Sequence, residues 1–247
     1  MPVILANGIV TRYANYREND RILTIFTPDR GRIDAKARGC RRPTSPLLSC
    51  AEAFVYGEFE LFCAKDRYTV NACSVEESFF PIREDIVRFA LGTSMLQFIT
   101  ETAQENEPNE RMFLLLYRAL SFLAYGESDP SDLYCCFLIR FLDIAGYKPA
   151  ITGCSVCGRD VRADAALYFG ARAGGVTCAA CRGGDRPISK TALEAMRRML
   201  LLSDDEMGKV KLPPPLRKEI YAALTDYASY ALEYGPRALA FLKQIPV

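Results

Sequence analysis

Two Cys-x-x-Cys pairs, Cys154-Ser155-Val156-Cys157 and Cys178-Ala179-Ala180-Cys181, stand twenty residues apart. Four thiolates can close a tetrahedral shell around one Zn²⁺, and two pairs at this separation have the spacing of a zinc ribbon. Each pair curls into a tight turn that aims both sulfurs at one point. Gly158 follows the first pair, where a positive φ lets the chain turn back. A shell of four sulfurs leaves no coordination position open, so a single Zn²⁺ on Cys154, Cys157, Cys178 and Cys181 is structural rather than catalytic. The competing reading is a set of free or redox-active thiols, a role more often marked by one such pair than by two.

The second group with chemistry to offer is basic. Residues 30–42 hold Arg30, Arg32, Lys36, Arg38, Arg41 and Arg42 against the single acid Asp34. Side chains alternate along a strand, so Arg32, Asp34, Lys36 and Arg38 share one face while Ile33, Ala35 and Ala37 share the other. That strand buries a small apolar side and presents a basic stripe, which Arg41 and Arg42 extend on the following loop. Such a stripe can track a phosphodiester backbone, with Tyr13, Tyr16, Tyr56 or Tyr68 as platforms for unpaired bases. The blander reading is a solvated edge that discourages strand-to-strand aggregation.

Histidine is absent from the chain. No Ser-His-Asp or Cys-His nucleophile system, imidazole acid–base catalyst or histidine metal ligand is therefore possible. Walker A, Gly-x-Gly-x-x-Gly and Gly-x-Ser-x-Gly motifs are missing too; carboxylates and lysines remain, so the residues leave catalysis open but give it no support. The net charge of +1 is unevenly spread: residues 81–150 carry ten acids against six bases, and residues 186–247 ten bases against seven acids. Cys40, Cys50, Cys63, Cys73, Cys135 and Cys136 read as small, mostly buried thiols of a chain kept in a reducing cytosol. The sequence shows no signal peptide and no apolar run long enough to span a bilayer, so the expectation is a cytoplasmic chain with no membrane partner.

The elements that must position these residues change character near Pro81. Before it, five short strands are expected: Val3–Tyr16 with a kink at Gly8, Arg21–Phe26, Arg32–Arg38, Ala53–Cys63 with a bend at Gly57, and Tyr68–Glu76. Five strands in about eighty residues suggest a small closed barrel of the OB type, with an SH3-like barrel as the alternative. After Pro81 the apolar period becomes helical. Ile86, Phe89, Ala90, Thr93, Leu96 and Ile99 line one helix, and Phe113, Leu116, Tyr117, Leu120 and Leu123 a second that ends at Gly126. Asp129-Pro130 caps a third, Thr191-x-x-Glu194 reads as a capping box for a fourth, and Pro213-Pro214-Pro215 starts a long last helix broken by Gly235-Pro236 before Leu239 and Leu242. The ribbon lies between helices of what is expected to be one bundle. The fold class is thus α+β, with an OB-type barrel over 1–80 and a helical domain over 81–247 that carries a ribbon insertion at 150–186.

Four stretches stand in a particular order: Tyr16-Arg17-Glu18-Asn19-Asp20-Arg21-Ile22-Leu23-Thr24 with Thr27 and Gly31, the basic run Lys36-Ala37-Arg38-Gly39-Cys40-Arg41-Arg42-Pro43-Thr44-Ser45, Gly146-Tyr147-Lys148-Pro149, and the two cysteine knuckles with Gly174-Gly175-Val176-Thr177 between them. Together they resemble one family, the bacterial recombination mediator RecO. The resemblance implies an N-terminal OB domain, a helical domain with an embedded zinc ribbon, and no reaction chemistry. It further implies binding of single- and double-stranded DNA, annealing of complementary strands, and RecR-assisted loading of RecA on DNA coated by single-stranded DNA-binding protein (SSB). The helical domain would recognise the acidic, hydrophobic C-terminal tail of SSB, and the protein would associate with the bacterial nucleoid. The family's basic segment corresponds to Lys36, Arg38, Arg41 and Arg42, and strand alternation adds Arg32. Cys40 stands where a small residue such as alanine is expected. The alternatives are a zinc-ribbon RNA-binding or transcription-associated module, a carboxylate enzyme, and a protein-docking scaffold.

Overall fold

A computed structural model describes residues 3–65 and 67–233 of the chain. Its first strand, β1 (Val3–Tyr16), is long enough to serve two neighbours. The first half pairs antiparallel with β4 (Tyr56–Ala64), from Val3↔Phe62 to Ile9↔Tyr56; the second pairs with β2 (Asp20–Thr27), ending at Tyr16↔Asp20. The strand bends between the two partners where Gly8 faces Gly57. A Cβ on Gly8 would lie 2.4 Å from Ile25 Cγ2, and one on Gly57 2.3 Å from the Ser74 carbonyl, so neither position admits a side chain. A register shift between Val10 and Arg12 adds the twist that a bulge brings.

The remaining strands are β3 (Gly31–Ala37) and β5 (Arg67–Glu77). The order β1-β2-β3-β5-β4 closes on itself, with β3 and β5 parallel and the other pairs antiparallel. This is an OB-type barrel, not the SH3-like alternative. Its core takes one face of every strand, from Val10, Leu23 and Ile25 to Ile33, Ala35, Phe59, Leu61 and Val70. Strand β4 starts three residues later than expected, after Phe54 takes a φ of 73°.

The chain divides into two compact units after Ala124. The change from strands to helices comes earlier, at the short helix α1 (Pro81–Glu84). Helices α2 (Ile86–Thr102) and α3 (Glu110–Tyr125) therefore belong chiefly with the barrel and not to one common bundle. Aromatic contacts explain the attachment: Phe113 meets Phe26 and Tyr56, Tyr117 meets Tyr56 and Phe79, and Phe89 meets Phe54. The expected face of α2 is only partly right, because Ile86 and Phe89 are exposed while Leu91, Met95 and Phe98 are buried. The middle of α2 is covered on almost every side, so no single apolar stripe marks its buried face.

The second unit begins with α4 (Pro130–Ile144), capped as expected by Asp129, whose carboxylate accepts from Ser131 N–H at 2.9 Å. A three-stranded sheet follows, β6 (Leu167–Gly170), β7 (Gly175–Cys178) and β8 (Arg186–Pro187), in the order β7-β6-β8. Helix α5 (Lys190–Leu201) is capped by Ser189, which accepts from Ala192 N–H, and not by Thr191. Ser203 and Glu206 form a capping box at the 3-10 turn Asp204–Lys209. Pro213 caps α6 (Pro214–Ala231), as the proline run predicts. Asp132, 2 % exposed, accepts from Arg217 Nε at 2.6 Å and from Leu212 N–H at 3.0 Å, tying α4 to the start of α6. The predicted break at Gly235-Pro236 and the contacts of Leu239 and Leu242 lie outside the described residues.

Candidate metal centre and nucleic-acid interface

Each cysteine pair sits on a turn closed by its own backbone. Gly158 N–H donates to the Cys154 carbonyl at 2.8 Å, and Cys154 N–H to the Arg159 carbonyl at 2.9 Å. In the second pair, Cys181 and Arg182 both donate to the Cys178 carbonyl. The pairs are brought together by the β6–β7 hairpin, which ends at Leu167↔Cys178, and by Ser155, which donates to the Val176 carbonyl. The sulfurs of Cys154, Cys157, Cys178 and Cys181 all lie within 4.8 Å of one another.

The electrostatics of the cluster suit a cation. Burial opposes ionisation of Cys154, yet backbone N–H donors at Cys157, Cys178 and Val156 bring its thiol down to about 6. Hydrogen bonds with Cys178 and Cys157 push Cys181 the other way, to about 12. Four thiols this close cannot all ionise unaided, whereas a central divalent cation stabilises every thiolate at once. The donor set fits a metal ion, and the four cysteines can hold one.

The basic residues are distributed over an outer barrel face. In β3, Ile33, Ala35 and Ala37 are buried and Arg32, Asp34 and Lys36 point outward, as alternation requires. The outward cations differ in how far they are already paired. Arg32 meets Glu105 at 3.2 Å and Asp34 at 3.9 Å, and Lys36 meets Asp20 at 2.9 Å. Arg41 donates to the Glu18 carbonyl at 2.9 Å and its own N–H to the Asn19 carbonyl, which docks the turn after β3 against the β1–β2 turn. Asp20 completes this joint by accepting from Gly39 N–H at 2.8 Å. That bond, followed by the one with Lys36, holds the Asp20 carboxyl below its ordinary range. Arg38, Arg41 and Arg42 are exposed, and neither Arg38 nor Arg42 has a side-chain ion pair among the described residues.

Register adds residues that the basic run does not contain. Cross-strand partners share a face, so Tyr16↔Asp20, Ala14↔Ile22↔Lys36 and Arg12↔Thr24↔Asp34 form one outer strip across β1, β2 and β3. Arg12 and Arg17 thus join Lys36 and Arg38. Arg17 takes a φ of 56° in the β1–β2 turn, and its guanidinium lies 5.4 Å from the Tyr16 ring centroid. Both arginines lie outside the charge cluster at 30–42, and only the pairing of β1 with β2 and β3 reveals their neighbours. Of the four tyrosines considered, Tyr13 and Tyr16 are exposed, Tyr68 is half-buried against the core, and Tyr56 packs on Phe113 and Tyr117. Among the described residues no helix is long and apolar enough to cross a membrane.

These features define a two-part protein: an OB-type barrel with a basic outer face, followed by a helical unit carrying a four-thiol ribbon. Residues 1–79 match the family described as Recombination protein O N terminal, and residues 83–240 match Recombination protein O C terminal. Curated relatives agree along nearly the whole length. A protein of Acetivibrio thermocellus is 32 % identical over 248 residues, covering 99 % of this chain and 98 % of its own. One from Caldicellulosiruptor saccharolyticus is 30 % identical over 249 residues, covering 99 % and 100 %, and one from Alkaliphilus metalliredigens is 30 % identical over 234, covering 94 % of each. All three carry the name DNA repair protein RecO. The chain belongs to the RecO family of DNA repair proteins.

Proposed function

We propose that this chain is a non-enzymatic recombination mediator that binds single- and double-stranded DNA through the outer face of its barrel. The observation that carries the reading is the gathering of Arg17, Lys36, Arg38, Arg41 and Arg42 around the Tyr16 end of the β1-β2-β3 surface, with Arg12 further along the same strip. Cations there neutralise phosphates without reading sequence. Two complementary strands held on such a surface lose part of their mutual repulsion and meet faster, which is annealing without nucleotide hydrolysis. Family membership supports the rest of the role: action with RecR in loading RecA onto SSB-coated DNA. The metal in this reading is one structural Zn²⁺ on Cys154, Cys157, Cys178 and Cys181, since a shell of four thiolates suits its tetrahedral preference and leaves no reactive position.

The helical unit offers a surface suited to the SSB tail. A groove of about 770 Å³ runs between α5, the 3-10 turn and the start of α6. Met199, Leu202, Val210, Leu212 and Leu216 supply its apolar lining, while Lys190, Arg198, Lys209 and Lys211 outnumber Glu194 and Glu206. An acidic peptide with apolar side chains matches both properties.

The test is binding of a labelled single-stranded oligonucleotide across a salt series, for the wild type and for Arg38→Glu, Arg41→Glu and Arg42→Glu combined. A wild-type slope of about −0.7 per phosphate neutralised, made shallower by about 2 in the triple variant, is expected. An unchanged affinity in the variant at moderate salt would overturn the barrel-face reading. Stronger binding of structured RNA than of single-stranded DNA would favour an RNA-binding role instead.

A further inference from the structure

We infer that Tyr16 is a base-stacking platform that gives the barrel face a preference for unpaired strands over duplex. The inference rests on the DNA-binding reading above and adds to it the feature of the ligand that is recognised.

The ring stands where a stacked base could reach it. Tyr16 is 42 % exposed at the end of β1, outside the barrel core. It shares an outer strip with Ala14, Ile22 and Lys36, so apolar side chains adjoin it along the strand. Toward α2 the same face is polar: Thr24 is buried, and Arg12, Thr24, Arg32, Asp34, Thr100 and Glu101 line a small cavity of about 170 Å³. A strand crossing this surface therefore meets its open apolar footing at the Tyr16 end.

Two cations flank the ring. Lys36 Nζ lies 4.7 Å and the Arg17 guanidinium 5.4 Å from its centroid. A nucleotide offers a flat π face and an anion a few ångströms away, and this group offers the complement of both. Arg17 is exposed on a flexible stem, so a phosphate beside a stacked base draws it from the ring toward itself, while Lys36 stays held by Asp20 at 2.9 Å.

The other tyrosines lack this combination. Tyr13 lies on the opposite face of β1, three residues before Tyr16. One side of its ring is covered at 3.9 Å by the Arg21 guanidinium, which is held in turn by the Ala51 carbonyl and Glu52. Tyr56 is packed among rings, and burial raises its phenol above the ordinary range.

In a duplex the base faces are already stacked on each other, so a stacking platform contributes to single-strand binding alone. The experiment measures affinity of the full chain for a single-stranded oligonucleotide, the same sequence as duplex, and a single strand of equal length with abasic positions. Tyr16→Leu, which keeps apolar cover at the site, is expected to weaken single-strand binding about tenfold and leave duplex affinity within twofold. Tyr16→Phe is expected to bind as the wild type does. Wild type on the abasic strand is expected to fall to the level of Tyr16→Leu on the intact one.

Equal losses on both DNA forms overturn the inference, since they would mean that the ring merely positions Lys36 and Arg17. Unchanged single-strand affinity in Tyr16→Leu, with wild-type binding intact and sensitive to Arg38, Arg41 and Arg42, overturns this inference and spares the DNA reading. Wild-type protein that binds neither form overturns both.

Discussion

The ribbon and the barrel face each gather residues of one chemical kind, and use them in opposite ways. In the ribbon, the sulfurs of four thiols lie within 4.8 Å of one another, a group that can hold one metal ion at its centre. On the barrel, arginines and a lysine point outward, partly held by Asp20, Asp34 and Glu105, and the proposed partner is a separate molecule. A site that closes on itself acts on stability. One that faces solvent acts on binding and salt dependence and adds little to the fold.

The largest expected effect comes from breaking the closed site. Chelation, or Cys154→Ser, should unfold the ribbon, because a structural zinc site of this kind contributes about 10 kcal/mol or more. Purified metal-replete protein should contain one zinc per chain, with four thiols protected from alkylation until chelator is added. DNA affinity should change far less than ribbon structure does, and a collapse of both together would erase the contrast between the regions.

Asp132→Ala comes next. It removes a buried partner of Arg217 and leaves the Leu212 N–H without its acceptor, at a cost of about 3 kcal/mol in urea or thermal unfolding of the helical unit. A loss below about 1 kcal/mol would show that Asp129, 2.7 Å from Arg217, takes over the pair.

Smaller effects sharpen the account of the open face. Arg38→Ala should weaken DNA binding more than Arg32→Ala, because Arg32 is already engaged by Glu105 and Asp34 while Arg38 is not. Stability should stay within about 0.5 kcal/mol in both variants, as for most surface substitutions. The reverse ranking in an affinity series would move the contact surface toward the α2 end.

The smallest effect is a pH dependence at Asp20. Its folded pKa lies below the unfolded value, so its stabilising contribution is complete above the ordinary carboxylate range, about pH 4. That contribution is lost as pH falls through the lower folded value. The protection of the Gly39 amide, its exchange rate set against the intrinsic rate at the same pH, should fall there in the wild type and be low at every pH in Asp20→Ala.

How much of each region could be read in advance follows from how far apart its partners lie in the chain. The grouping of the four thiols was legible because each pair is a local turn and two short strands join them. The same holds for the Asp129 cap of α4 and the proline start of α6, where residue type and neighbouring backbone suffice. The cap of α5 was misread by two residues: Thr191 and Glu194 have the right spacing, but Ser189 is the residue with extended backbone and a side chain on Ala192 N–H. The exposure of Ile86 and Phe89 was hidden for a related reason, since a helix period shows an apolar face without showing what will cover it.

The sequence alone determined the kind and order of the parts: five strands, then helices, with a four-cysteine ribbon between two of them and a basic run in the third strand. Each depends on side-chain periodicity, turn chemistry or ligand spacing over a few neighbouring residues. Tertiary structure decided which of those residues can meet a partner. The bulge at Val10/Arg12 and the registers of β1, β2 and β3 bring Tyr16, Arg17 and Lys36 together, and a contact with Glu105, seventy-three positions along the chain, occupies Arg32. Strand register and long-range ion pairs are set by the joint packing of the whole barrel, and no local pattern carries that information.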